Sequence, residues 1–279
     1  MTLLDHILAA GFPLDASSII HLFVGGSQLH GAKVEGYDDL DIYACYIEPP
    51  ERILGVDSLE HFVWSSGSDR QKNTAADVDV TMYSLHRWGE LMLKGNPSIL
   101  HFLFANAEMT TSESVWQRIM QVRGDLLSKK SALQYLGFAN AQRMRLTGER
   151  GMGRHGQRMD LVEKYGYDTK FAMHYIRLLI ECKELLEKKR LTLPLPEKEL
   201  LIKIRTGGYP QAEVFAMGQA LDADCQSLLT ASDLPEEPGR HLLSATIAQA
   251  YREHWDRNGK EATVGMRVRT DPSSAAADS

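Results

Sequence analysis

The 279 residues are 43% hydrophobic and 24% charged, enough apolar material for one large domain or two modest ones and far from a disordered composition. A formal net charge of −6 excludes a protein that coats nucleic acid through a broad basic surface, while leaving room for a local basic cleft. Cys45, Cys182 and Cys225 lack C-x-x-C spacing, no apolar run nears the roughly 18 residues of a membrane span, and residues 1–13 carry no basic n-region or cleavage site. The expectation is a soluble cytoplasmic chain with neither a disulfide framework nor a zinc site, and no membrane partner.

In chain order, residues 2–10 read as a short amphipathic helix, with Leu3, Leu4, Ile7 and Leu8 at helical spacing and Gly11 and Pro13 ending it. Ile19, Ile20, Leu22, Phe23 and Val24 form a first strand that delivers the chain to Gly25 and Gly26. Glycine there permits a tight turn and a close approach of backbone to ligand, and Ser27 adds a hydroxyl and an amide. A loop over residues 31–38 leads to a second strand over 39–47, stopped by Glu48, Pro49 and Pro50. Asp39 and Asp41 are two apart on it, so their carboxylates share one face, about 6 to 7 Å apart. Such a pair repels itself and suits a hard divalent cation with oxygen ligands, Mg²⁺ or Mn²⁺; the bland alternative is a solvated edge strand. A calcium loop is excluded, because the glycine and distal glutamate it needs are missing. The order Gly-Ser, short loop, D-x-D on a strand resembles the signature of the DNA polymerase β-like nucleotidyltransferase superfamily. That resemblance implies that the turn at Gly26 and Ser27 holds nucleotide phosphates and that the paired aspartates bind two divalent metals.

Within residues 52–76, His61, Phe62, Val63 and Trp64 form a short strand. Residues 77–83 then alternate strictly, with Asp77, Asp79 and Thr81 on one face and Val78, Val80 and Met82 on the other. A third carboxylate can therefore approach the pair, unless this face is simply solvated. A helix over 84–93 stops at Lys94, Gly95, Asn96 and Pro97, and a second begins at Ser98. The run DVDVTMYSLHRWGELMLKGNPSILHFLFA is similar to the RNA-repair-associated, polymerase β-type family of predicted nucleotidyltransferases, in which an aspartate strand precedes an x-Y-x-L-x-[KR]-[FW] helix and a K-G-N-P turn. Its register implies Asp79 as the third metal ligand, with Asp77 as the alternative. The family's loop ends in Ser-Asp-x-Asp; here Asp38 stands in the serine's place and the loop is one residue longer.

From Val115 the texture is helical, over 115–122 and 129–144, followed by a Gly- and Arg-rich loop, TGERGMGRHGQR, either merely flexible or in contact with polyphosphate. In the block 164–189, Lys170, His174, Arg177 and Glu181 fall within an arc of about 60° on a helix otherwise nearly all apolar. A helix of that kind is buried, so its polar stripe faces either partners or a wet cleft. Periodicity alone leaves open a structural ion pair between Arg177 and Glu181; the resemblance implies that Lys170, His174 and Arg177 face the nucleotide. Helices follow over 197–205, 211–229 and 241–255, and the polar end is expected to be disordered after about Gly265.

The expected fold class is α/β, a polymerase β-like nucleotidyltransferase domain with a mixed sheet over residues 1–110, followed by an all-helical C-terminal region over 111–260 and a flexible tail over 261–279. The resemblance implies a Mg²⁺-dependent enzyme that transfers an NMP from an NTP to a hydroxyl acceptor, an RNA end such as tRNA or a repaired end, releasing pyrophosphate. Asp39, Asp41 and Asp79 would be its catalytic, metal-binding residues, and Gly26, Ser27, Lys170, His174 and Arg177 its nucleotide-binding ones. Two alternatives stand beside it: AMP or NMP transfer to a protein side chain, and a non-catalytic nucleotide-sensing module of the same fold.

Overall fold

A computed structural model describes residues 1–34, 38–67, 76–105, 110–112, 114–148 and 157–267. Strands β1 (Ile19–Val24), β2 (Leu40–Tyr46), β3 (His61–Ser65), β4 (Val78–Ser84) and β5 (Thr110–Ser112) form one sheet in the order β3-β4-β2-β1-β5. Only β2 and β4 pair in parallel, so the sheet is mixed as expected. A parallel pair needs a long crossover; here the connection from β2 to β4 carries a short helix over Pro50–Leu54 and then β3, which folds back antiparallel onto β4.

Register decides what each face of the sheet carries. Asp41 lies opposite Asp79 and Ile42 opposite Val80, so the alternations of β2 and β4 coincide. Ile42, Ala44, Val80 and Met82 pack on one side with Ile7 of α1 (Leu3–Ala9) and Phe12. The other side begins with the two aspartates and continues into the main core.

That core is one apolar cluster running from Phe23 and Cys45 of the sheet to the helices. It takes Trp88 from α4 (Leu85–Met92), Trp116 from α6 (Ser114–Gln121) and most of α9 (Thr169–Lys188). Helix α9 is surrounded by α7 (Lys129–Leu146), α10 (Lys198–Arg205) and α11 (Gln211–Ala231), which explains its nearly uniform apolar barrel. The turn after β1 is itself helical, α2 (Gly26–Leu29), and α3 (Pro50–Leu54) starts on the prolines that follow β2, with Pro49 as its cap.

Three boundaries differ from the sequence reading. The helix expected from Ser98 is one turn, α5 (Pro97–Leu100), continued as a 3-10 turn over His101–Leu103, because Ile99, Leu100, Phe102 and Leu103 are all buried and no polar face sustains a longer amphipathic helix. The block 164–189 is split: α8 (Met159–Tyr165) ends at Gly166, whose φ of 83° is left-handed, and Asp168 restarts the chain as the cap of α9. The last helix, α12 (Arg240–Arg267), passes residue 260 into the segment expected to be a flexible tail. Helix propagation adds a hydrogen bond for each residue fixed, and no proline intervenes before Pro272. The remainder of that tail, and residues 149–156 of the Gly- and Arg-rich loop, lie outside the described residues.

Helix α12 packs on α4 and α6 and is bonded to the far end of β2. The Tyr251 hydroxyl donates to the Glu48 carboxylate and accepts from the His86 amide at 3.2 Å, while Trp255 Nε1 donates to the Glu48 carbonyl at 2.8 Å. No helix among the described residues is long and apolar enough to cross a membrane.

Candidate active site

The glycine turn lies directly on the acidic strand. The Gly25 amide donates to the Asp41 carbonyl at 2.8 Å. Gly26 has a φ of +57°, and a Cβ there would stand 1.7 Å from Asp41 Oδ2. A side chain at this position is excluded twice, by backbone conformation and by the carboxylate. Gly26→Val is therefore expected to displace Asp41 and to weaken NTP binding more than tenfold, or roughly 1.4 kcal/mol. Calorimetric titration of a folded variant checks this, and unchanged affinity would refute it.

Turn and strand form one wall of a cleft of about 370 Å³. Gly26, Ser27, Asp39, Asp41 and Asp79 line that side; Lys170, His174 and Arg177 of α9 line the other. All eight residues singled out in the sequence thus meet in a single cavity. Asp77 does not line it; its carboxylate accepts from the Ser66 hydroxyl at 3.1 Å.

The acidic wall is under electrostatic stress. Burial, then the charges of Asp39 and Asp79, push the Asp41 carboxyl up to about 7. Carboxylate oxygen donors gathered around Asp41 in this way fit a hard divalent cation, which would relieve the repulsion on it. They ring the cleft loosely. Among the described residues, only the ligand atoms of His30, His101 and Glu181 all lie within 4.8 Å of one another, a group that could hold a metal ion.

The basic wall is anchored in that second group. Arg177 Nη1 donates to Glu181 Oε1 at 2.8 Å and to His30 Nε2 at 2.9 Å. A guanidinium cannot accept, so the His30 proton is on Nδ1, which faces Glu181 Oε1 at 3.1 Å. His101 Nε2 completes the set, 3.1 Å from Glu181 Oε2. Burial pushes the Glu181 carboxyl up, but Arg177, His101 and His30 outweigh it and hold it well below its usual range. With the guanidinium already seated there, a metal cation would meet a like charge. Burial, together with Arg177, holds His30 down to about 3, and burial with Arg177 and Lys170 holds His174 well below its usual value. Both rings are neutral at physiological pH, and Lys170 is lowered by burial and by Arg205 and Arg158.

Comparison with known proteins now adds to the geometry. The sequence profile of the RNA repair pathway DNA polymerase beta family matches residues 6–217. The chain belongs to that family. Among solved structures, a nucleotidyltransferase-like protein from Exiguobacterium sibiricum 255-15 is similar at 14% identity, over 97% of this chain and 80% of that one, with a TM-score of 0.27. No curated protein matches.

In this member of the RNA repair pathway DNA polymerase beta family, several cleft residues escape sequence reasoning. Arg205, at the end of α10, pairs with the buried Asp38, whose other oxygen accepts from the Val34 amide at 2.8 Å. The acid standing in place of the family's serine thus ties the loop to the helical layer. An extra buried carboxylate beside a D-x-D pair signals the need for a cation, but nothing in the sequence says which one. His30 and His101 have no recognisable spacing: His101 lies 80 residues from Glu181, and the fold, not a motif, unites the three.

Proposed function

We propose that the protein transfers a nucleoside monophosphate from an NTP to the hydroxyl of an RNA end, with divalent-metal assistance. The observation that carries this is the facing of the two walls in one cleft: Asp41 and Asp79 on parallel strands, with Asp39 just ahead of β2, opposite Lys170, Arg177 and Arg205. Asp39, Asp41 and Asp79 would hold Mg²⁺ or Mn²⁺, which when bound supplies charge neutralisation at the triphosphate and lowers the pKa of the attacking hydroxyl. Backbone amides at Gly26 and Ser27 bind phosphate oxygens. The acceptor oxygen forms a bond to the α-phosphorus, the bond from that phosphorus to pyrophosphate breaks with its electron pair going to pyrophosphate, and the hydroxyl proton passes to solvent water. Lys170 and Arg177 meet the negative charge of the triphosphate as it leaves; Arg177, held by Glu181 and His30, faces it in a fixed orientation.

Incubation with each labelled NTP, Mg²⁺ and either RNA or protein tests the reading: label should enter RNA, and label entering protein alone would refute the acceptor. Lys170→Ala is expected to lower turnover at least about a hundredfold. Its melting temperature should stay within a few degrees of the parent, since no carboxylate among the described residues pairs with Lys170. Steady-state kinetics beside thermal melts measure both.

The Asp41 value sets a pH dependence. A carboxyl raised to about 7 holds its proton below that pH, and a cation must displace it. Mg²⁺ affinity is expected to rise with pH through about 7 and to level off above about 8, with proton release at the lower end. Titration in buffers of different ionisation enthalpy reads the released proton, which should vanish in Asp41→Asn.

A further inference from the structure

Behind the stripe of α9 a second cavity of about 290 Å³ opens against α7. Phe138, Gln142 and Arg145 present one face of α7 to it at helical spacing. Ser98, His101, His174 and Arg177 line both this cavity and the main cleft, so the two communicate.

Its chemistry is one-sided. Arg145 and Arg158 stand over the Phe171 ring at 5.7 and 5.0 Å, and no carboxylate is among the described residues that line the space. Arg158 is tied to Asp168 at 3.3 Å, whereas Arg145 has no acidic partner among the described residues. Gln142 Oε1 is buried without a hydrogen-bond partner among them. At the rim, Phe138 leaves 43% of its surface exposed. On a chain of net charge −6, a pocket lined by Arg145, Arg158 and Arg177 and by no carboxylate among the described residues is positioned for an anion. An exposed aromatic ring next to such arginines is the pairing that recognises a single strand, with phosphate on guanidinium and base on ring. A phosphorylated peptide would use the arginines and leave the ring idle.

We propose that this cavity binds the end of a single-stranded nucleic-acid acceptor, its backbone phosphate at Arg145 and Arg158, a base on Phe138, and its terminal hydroxyl directed past Ser98 and His174 into the cleft. The inference rests on the nucleotidyl-transfer reading for its direction, and gives the acceptor strand its place in the fold.

The test separates the two. A fluorescent single-stranded RNA of about twelve nucleotides is titrated by anisotropy, without NTP and at several salt concentrations, into the parent, Arg145→Ala and Phe138→Ala. Mg²⁺ and ATP are titrated in parallel by calorimetry, and thermal melts are recorded. Each variant is expected to lose about tenfold in RNA affinity with ATP affinity and melting temperature unchanged. Arg145→Ala should also lower the slope of log affinity against log salt by about 0.7, and Phe138→Ala should leave that slope alone. RNA affinity unchanged in both variants overturns the proposal. So does a parent that binds ATP but no RNA, or a phosphorylated peptide that competes as well as RNA. A parent that binds RNA through these residues but no ATP upholds the strand site and removes the transfer reading instead.

Discussion

Arg177→Ala is expected to unfold the protein at a markedly lower temperature, with a loss of about 3 to 5 kcal/mol. Glu181 is fully buried, and Arg177 is the cation that holds it. Removing the guanidinium leaves a fully buried carboxylate beside His30 and His101 with no fixed cation against it among the described residues. The sign with pH follows. A carboxyl held below its usual value contributes stability above its unfolded pKa and loses it as pH falls through the folded one. In the variant that depression goes, so the destabilisation is greatest at neutral pH and shrinks toward acid. Arg177→Lys should restore little, because an ammonium on a flexible stem does not reproduce the planar fork that reaches Glu181 and His30 together. Denaturant melts at several pH values measure this; a variant as stable as the parent would assign Arg177 to the ligand alone.

Asp41→Asn is expected to abolish transfer, on the order of a thousandfold or more, while the apo protein becomes no less stable. The parent carboxyl, raised to about 7, is costlier to ionise in the folded chain than in the unfolded one. That penalty is absent at low pH and fully present above about 7, so the amide should stabilise the apo protein increasingly as pH rises across that interval. Paired turnover and apo melts decide it. Full Mg²⁺-dependent activity in the variant would remove Asp41 from the cation site.

Local pattern made much of this legible. Apolar runs marked β1 and β2 and strict alternation marked β4, and a period of two put Asp41 and Asp79 on faces that the parallel register then aligned. Helical spacing likewise collected Lys170, His174 and Arg177 on α9. What pattern could not supply was pairing between distant segments. Arg205 meets Asp38 across 167 residues, and His101 meets Glu181 across 80, with no periodicity linking either pair. The division of α8 from α9 was missed for a different reason: Gly166 and Asp168 act through backbone conformation and capping, which a count of apolar residues does not weigh.

The bonds from Tyr251 and Trp255 to Glu48 span 203 and 207 residues. During synthesis, the strands that carry the aspartates leave the ribosome long before α12 exists. Until it arrives, Glu48 lacks both donors and the α4 surface around Gly89, which Ile247 approaches closely in the finished protein, stays open to water and to other chains. Contacts this far apart in sequence form late and slowly. The nascent chain therefore carries its aspartate strands beside an uncovered flank until α12 has been made.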